Sequence, residues 1–145
     1  MRKFLKSLSN AVDGLITTTK TQRNFVIHII IAVIVIIFSI IFGLNTEETL
    51  WIVASILIVL MTELLNTSIE NLVDLIEPQF RDKAKIAKDA SAAMVLIASF
   101  LAVFIGCIIF CEKIFGLKLH ESLLCAIIII VIFLLSGRLS GGVSK

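Results

Sequence analysis

The sequence predicts an all-α integral membrane protein: an N-terminal amphipathic surface helix, three core transmembrane helices and a fourth, C-terminal one. Of its 145 residues 59% are hydrophobic, and the mean hydropathy is +1.09. That is well beyond the composition of soluble domains. The apolar residues come in long runs separated by short polar turns, and a basic amphipathic segment precedes the first run. A net charge of +2 is too small to point to a nucleic-acid partner.

The surface helix is expected over residues 2–20. Phe4, Leu5, Leu8, Ala11, Val12, Leu15 and Ile16 fall on one side, with Lys3, Lys6, Asn10, Asp13 and Thr17 on the other. A basic polar face opposite an apolar one suits a helix lying in the membrane interface. No cleavable signal peptide is expected, because this segment lacks a short apolar core with a small-residue cleavage site. Residues 21–28, TQRNFVIH, form a polar junction. His28 opens the first span and by itself reads as an interfacial hydrogen-bonding group.

The first span is expected at about 25–42, an almost unbroken Ile/Val run, and the turn after it has no basic residue. The second is expected at 49–77, with Trp51 placed as an interfacial anchor. The third covers 84–110, where Ala98, Ala102 and Gly106 form a ladder of small residues suited to close helix packing. A fourth run, 122–136, is just long enough to cross. The glycine-rich tail SGRLSGGVSK lacks the G-K-[ST] of a phosphate-binding loop and follows no strand, so it reads as a flexible end. Cys107, Cys111 and Cys125 lie in or beside apolar runs without His or acid at the same depth, which fits small buried hydrophobes better than zinc ligands.

Lysine and arginine set the orientation. Arg2, Lys3, Lys6, Lys20 and Arg23 precede the first span, and Arg81, Lys83, Lys85 and Lys88 lie between the second and third. Arg138 and Lys145 follow the fourth, leaving Lys113 and Lys118 for the opposite side. The positive-inside rule then places both termini and the loop around residues 77–89 in the cytoplasm, in a multi-pass plasma-membrane protein.

The second span ends in an acidic stripe. Glu63, Asn66, Glu70, Asp74 and Glu77 fall within roughly an 80° arc of one helix face. Leu64, Leu65, Ile69, Leu72, Val73, Leu75 and Ile76 keep the rest of the helix apolar. An ionisable group at membrane depth is costly and marks a functional site. Several acids on one stripe also repel each other unless a metal, a lysine or protonation intervenes. For Asp74 and Glu77, furthest from the apolar run, the competing reading is a solvated helix end. For Glu63 that reading is weaker, since one residue separates it from Met61 and the apolar run.

The stretch E-L-L-N-T-S-I-E-N-L-V-D-L at 63–75, followed by A-K-I-A-K-D-A-S-A-A at 84–93, resembles the small prokaryotic lipid kinases. That family comprises diacylglycerol kinase and its Gram-positive relatives acting on undecaprenol. The pattern E-x-x-N-x-x-x-E-x-x-x-D with A-K-D after a fixed gap is long and specific. Phe4, Ala11 and Gly14, then R-N-F-x-x-H at Arg23, Asn24, Phe25 and His28, extend the resemblance to residues 3–112. It implies a lipid kinase membrane domain at 1–112 and a C-terminal extension at 113–145.

The resemblance implies ATP and Mg²⁺, a homotrimer with sites completed between subunits, and a role for each motif residue. Glu63 would be the catalytic base and Glu70 a metal ligand. Asn66, Asp74, Lys88 and Asp89 would line the nucleotide and headgroup site together with Glu70. Relatives usually carry a second metal-binding glutamate where this chain has Gln22, whose carbonyl can still coordinate Mg²⁺ with one negative charge fewer.

The residues themselves agree with that chemistry. Phosphoryl transfer needs charge neutralisation, alignment and a proton acceptor. Glu63 lies about 10 Å deeper than Glu70 along the helix, near the level of a lipid hydroxyl, and its partial withdrawal from water suits a base. The expected function is ATP-dependent phosphorylation of undecaprenol to undecaprenyl phosphate on the cytoplasmic side. The alternatives are a diacylglycerol kinase making phosphatidate, a catalytically impaired scaffold, or a transporter subunit. The last is disfavoured because the acids cluster at one end and not at mid-membrane.

Overall fold

A computed structural model describes residues 1–76 and 82–141, with side chains described as far as Ser136. It contains helices α1 (Arg2–Thr21), α2 (Arg23–Ile41), α3 (Thr46–Ile76), α4 (Asp82–Phe115) and α5 (Leu119–Gly141). There is no strand among the described residues. Glu77 of the acidic stripe and Arg81 of the basic loop lie outside them.

Each junction has a local cause. Gln22 alone separates α1 from α2, with extended backbone at φ −108° and ψ 103°. Its N–H donates to the Thr18 carbonyl at 2.8 Å, and its own carbonyl accepts from Val26 at 3.3 Å, so one residue caps both helices. At the far end of α2, Gly43 adopts φ +61°. The Gly43 N–H then reaches the Ile40 carbonyl and the Leu44 N–H reaches that of Ser39, the paired bonds of a Schellman stop. Asn45 opens α3 by accepting from the Glu48 N–H at 2.9 Å. In return the Asn45 N–H donates to the Glu48 carboxylate at 2.6 Å, completing a capping box. Gly116, at φ +64°, ends α4.

Four of the helices (α2, α3, α4 and α5 as far as Ser136) are long and apolar enough to cross a membrane. The protein is therefore a multi-pass membrane protein. With 31 residues α3 is about 46 Å long, which exceeds a bilayer's hydrocarbon core of about 30 Å and carries its acidic end out of it. The outward faces are apolar all round, at Ile34, Ile40, Leu57, Ile97 and Ile132 for example. Phe4, Leu5 and Leu8 of α1 are likewise exposed, leaving an apolar face uncovered by the chain.

Helices neighbouring in sequence pack together, and α3 with α4 forms the largest interface. The core is thin and rich in small residues. Phe25, Ile52, Val59, Ala98 and Ala126 are buried together with Ser39, Ser55, Ser91 and Ser122. Ser39 and Ser55 satisfy their hydroxyls on the carbonyls of Val35 and Ile52 within their own helices.

Two expectations are corrected. The small-residue ladder holds at Ala98, which is buried, but a Cβ at Gly106 would meet nothing within 4 Å. The face that a Gly106 side chain would occupy is open within this chain, although Phe110 one turn on meets Phe42 at the end of α2 edge to face, ring centroids 6.3 Å apart. The tail is also not loose from its start, because α5 runs on to Gly141. A helix satisfies its backbone bonds internally, and one glycine costs it only about 1 kcal/mol.

Candidate active site

The stripe on α3 is graded in exposure. Glu63 and Asn66 are buried, at 3% and 6% of their surface, Glu70 is half-buried and Asp74 is exposed. That order follows their distance from the apolar part of the helix. Glu63 thus stands where a charge is most costly, and among the described residues it accepts no hydrogen bond. His28 of α2 and Glu70 lie within its electrostatic reach.

Asn66 is the hub of a network between α3 and α4. Its amide nitrogen donates to Glu70 Oε1 at 3.1 Å, and its amide oxygen accepts from the Ser91 hydroxyl at 2.6 Å. The Ser91 oxygen also lies 2.9 Å from the Lys88 carbonyl. A hydroxyl has one hydrogen to give. Turning the Asn66 amide would set its oxygen against the Glu70 carboxylate, so the Ser91 hydrogen belongs on Asn66. The network fixes one Glu70 oxygen and leaves Oε2 as an acceptor. One turn further out, the Lys88 ammonium pairs with Asp74. Asp89 is exposed beside Lys88 and joins neither arrangement.

A cavity of about 560 Å³ adjoins this network. Asn24, His28, Glu63 and Asn66 line its polar end. Ile27 and Ile31 of α2 and Val95, Leu96 and Val103 of α4 make most of the remaining wall, and α5 contributes Ile129, Ile130 and Phe133. The shape suits an amphiphile: one polar head beside Glu63, with a hydrocarbon body beyond it. The volume lies in the usual range for ligand sites, about 300–1,000 Å³.

Mg²⁺ asks for oxygen ligands and is commonly held by one or two carboxylates with substrate phosphates. Among the described residues no group of three or more His, Cys, Asp or Glu side chains converges on one point. Glu70, with a free oxygen next to Lys88 and Asp74, fits the sparse protein share of such a site. Gln22 sits half-buried at the α1–α2 junction and shares no hydrogen bond with Glu70.

Glu63, Asn66 and Glu70 are therefore drawn together, with Asp74 and Lys88 adjoining. Two partners were not evident from the sequence. Ser91 lies inside the A-K-I-A-K-D-A-S-A-A stretch, one turn after Lys88, but that stretch assigns it no role. His28, in the sequence an interfacial residue and the last position of R-N-F-x-x-H, lines the same cavity as Glu63 and lies within its electrostatic reach. The Thr67 hydroxyl, buried beside Asn66, has no partner among the described residues.

The family model for prokaryotic diacylglycerol kinase matches residues 9–110. Over 115 residues the chain is 37% identical to an undecaprenol kinase of Bacillus subtilis, covering 78% of this chain and 92% of that protein. A diacylglycerol kinase of Synechocystis is 38% identical over 104 residues, which cover 71% of this chain and 59% of that one. The diacylglycerol kinase of Escherichia coli K12 is 38% identical over 58 residues, 40% of this chain and 48% of the other.

Proposed function

Because the chain belongs to the prokaryotic diacylglycerol kinase family, and is thereby a lipid kinase, we propose that it phosphorylates undecaprenol from ATP with Glu63 as the base. The observation that carries this reading is the position of Glu63. A carboxylate 3% exposed stands at the polar end of a cavity whose other walls are apolar. A lipid alcohol entering tail-first along those walls would bring its hydroxyl to that carboxylate.

Glu63 takes the hydroxyl proton as the lipid oxygen attacks the γ-phosphorus. The bond from that phosphorus to the bridging oxygen of ADP breaks, giving lipid phosphate and ADP. Magnesium, when bound, supplies neutralisation of the phosphate charge, and Glu70 Oε2 is the ligand this chain offers it. Asn66, fixed by Ser91, holds Glu70 in place, and the Lys88 ammonium, oriented by Asp74, faces phosphate charge as a point cation. His28 lines the same cavity and acts on the Glu63 carboxylate electrostatically, without a direct hydrogen bond.

Lysine and arginine support a cytoplasmic site: Arg23, Lys83, Lys85 and Lys88 lie at this end, and Lys113 and Lys118 at the other. A homotrimer belongs to the same reading and rests on the resemblance to the family. Undecaprenol is preferred to diacylglycerol because the similarity spans 92% of the Bacillus subtilis undecaprenol kinase, against 59% of the Synechocystis and 48% of the Escherichia coli K12 diacylglycerol kinase. The test is ATP-dependent phosphorylation by the purified protein with both lipids offered together. Faster labelling of undecaprenol is expected. Faster labelling of diacylglycerol would make it a phosphatidate-forming enzyme, and labelling of neither would leave the scaffold reading.

A further inference from the structure

The cavity beside Glu63 has a wall from outside the segment matched by the family model, which ends at residue 110. That wall is α5. Along one stripe of this helix come Ser122 and Ala126, both fully buried, then Ile129, Ile130 and Phe133. The small residues seat α5 against α4, its principal packing partner. Phe133 meets Phe100 of α4 edge to face, ring centroids 5.9 Å apart. Neither α2 nor α3 forms an extensive interface with α5. The cavity is the gap left between α2 and α5 over the α3–α4 pair.

An apolar gap of this size inside a bilayer forfeits dispersion contacts unless hydrocarbon fills it. Which hydrocarbon is indicated by its polar end, where Glu63 and Asn66 stand. Phe100 lies about 13 Å along α4 from Ser91, so the Phe100–Phe133 pair sits deeper than the carboxylate, at the level of the first units of a lipid tail. We propose that α5 is a specificity wall for the acceptor lipid: Phe133, with Ile129 and Ile130, admits a single hydrocarbon chain and obstructs a two-chain alcohol. The proposal rests on the kinase reading above for the identity of the head, and on the cavity alone for the tail.

Two measurements test it. In the first, Phe133→Ala and the conservative Phe133→Leu are compared with the unaltered protein on undecaprenol and diacylglycerol, in phosphatidylcholine vesicles. The ratio of kcat/KM for diacylglycerol to that for undecaprenol should rise about tenfold in Phe133→Ala. It should rise less in Phe133→Leu, with the KM for ATP unchanged in both. An unchanged ratio in an active, folded Phe133→Ala overturns the proposal.

The second measurement does not depend on turnover. On a Trp51→Phe background, Phe133→Trp is titrated with a polyprenyl alcohol brominated in its first isoprene units, and Ile132→Trp, as exposed as Phe133 but not lining the cavity, serves as the reference. Saturable quenching confined to position 133 is expected. Quenching that rises linearly and equally at both positions would show ordinary bilayer lipid in the gap and would overturn the proposal. Saturable quenching in a protein that phosphorylates neither lipid would sink the kinase reading and leave the wall standing.

Discussion

The two ends of the helical bundle use similar side chains for opposite purposes. At one end Asn45 and Glu48 exchange hydrogen bonds at the start of α3, Glu48 lies 3.4 Å from Lys113, and the Lys118 N–H is capped by Glu121. Most of these bonds close helix termini, and the groups border the surface. At the other end Asn66 and Glu70 sit more than one turn inside the end of α3, where the backbone needs no cap. Their bonds run along the helix and across to Ser91 of α4, and Glu63 is buried without a hydrogen bond among the described residues. A polar group that satisfies a backbone stabilises the fold. One held away from water by other side chains is available for chemistry.

The sharpest way to break that contrast is Glu63→Gln, which keeps the shape and removes the base. Turnover should fall by about 10²–10⁴-fold, while the purified variant stays folded and still binds ATP. Wild-type turnover in that variant would reduce Glu63 to a structural residue. Next comes the hub. Asn66→Ala turns the Ser91 hydroxyl back onto the Lys88 carbonyl, cuts the link between α3 and α4 and frees Glu70, at a cost of about 1 kcal/mol in stability. Activity should fall with it, by more than in Ser91→Ala, as thermal unfolding in detergent and initial rates would measure. If Ser91→Ala were the worse of the two, Asn66 would not be the organising residue.

Lys88→Met should raise the KM for ATP by about tenfold, the worth of a charged hydrogen bond of about 1.5 kcal/mol, and change kcat less. An effect confined to kcat would move Lys88 from nucleotide binding to the transferring phosphoryl group. Gln22→Glu restores a negative charge near the proposed metal. It should lower the Mg²⁺ concentration for half-maximal rate by a few-fold, since Mg²⁺ binds through few protein ligands. A Mg²⁺ dependence identical to the unaltered protein would remove Gln22 from the metal site.

The smallest effect belongs to the other end. Glu48→Gln weakens a partly exposed ion pair worth about 0–1 kcal/mol and leaves an amide able to cap Asn45. Kinase rates should match those of the unaltered protein. A large loss of turnover would mean that the two ends are coupled through α3 and α4.

Much of this was legible in the sequence because a bilayer simplifies the code. Backbone groups in hydrocarbon must bond internally, so apolar runs of sufficient length are helices, and the polar turn between the first two runs is where Gly43 ends one helix and Asn45 opens the next. The periodicity of α3 likewise put Glu63, Asn66, Glu70 and Asp74 on one face, and their order of exposure follows from distance along the helix. Tertiary structure alone decided which helices meet that face. Ser91 and His28 lie on α4 and α2, and no pattern within a single helix states its rotation about its neighbour. Gly106 makes the same point in reverse: its spacing promised close packing, yet the space a Cβ would fill there is open within this chain. The cavity is likewise a property of how α2 and α5 stand apart. Inside a membrane the hydrophobic effect that would press helices together is absent, so small differences in side-chain shape set the gaps.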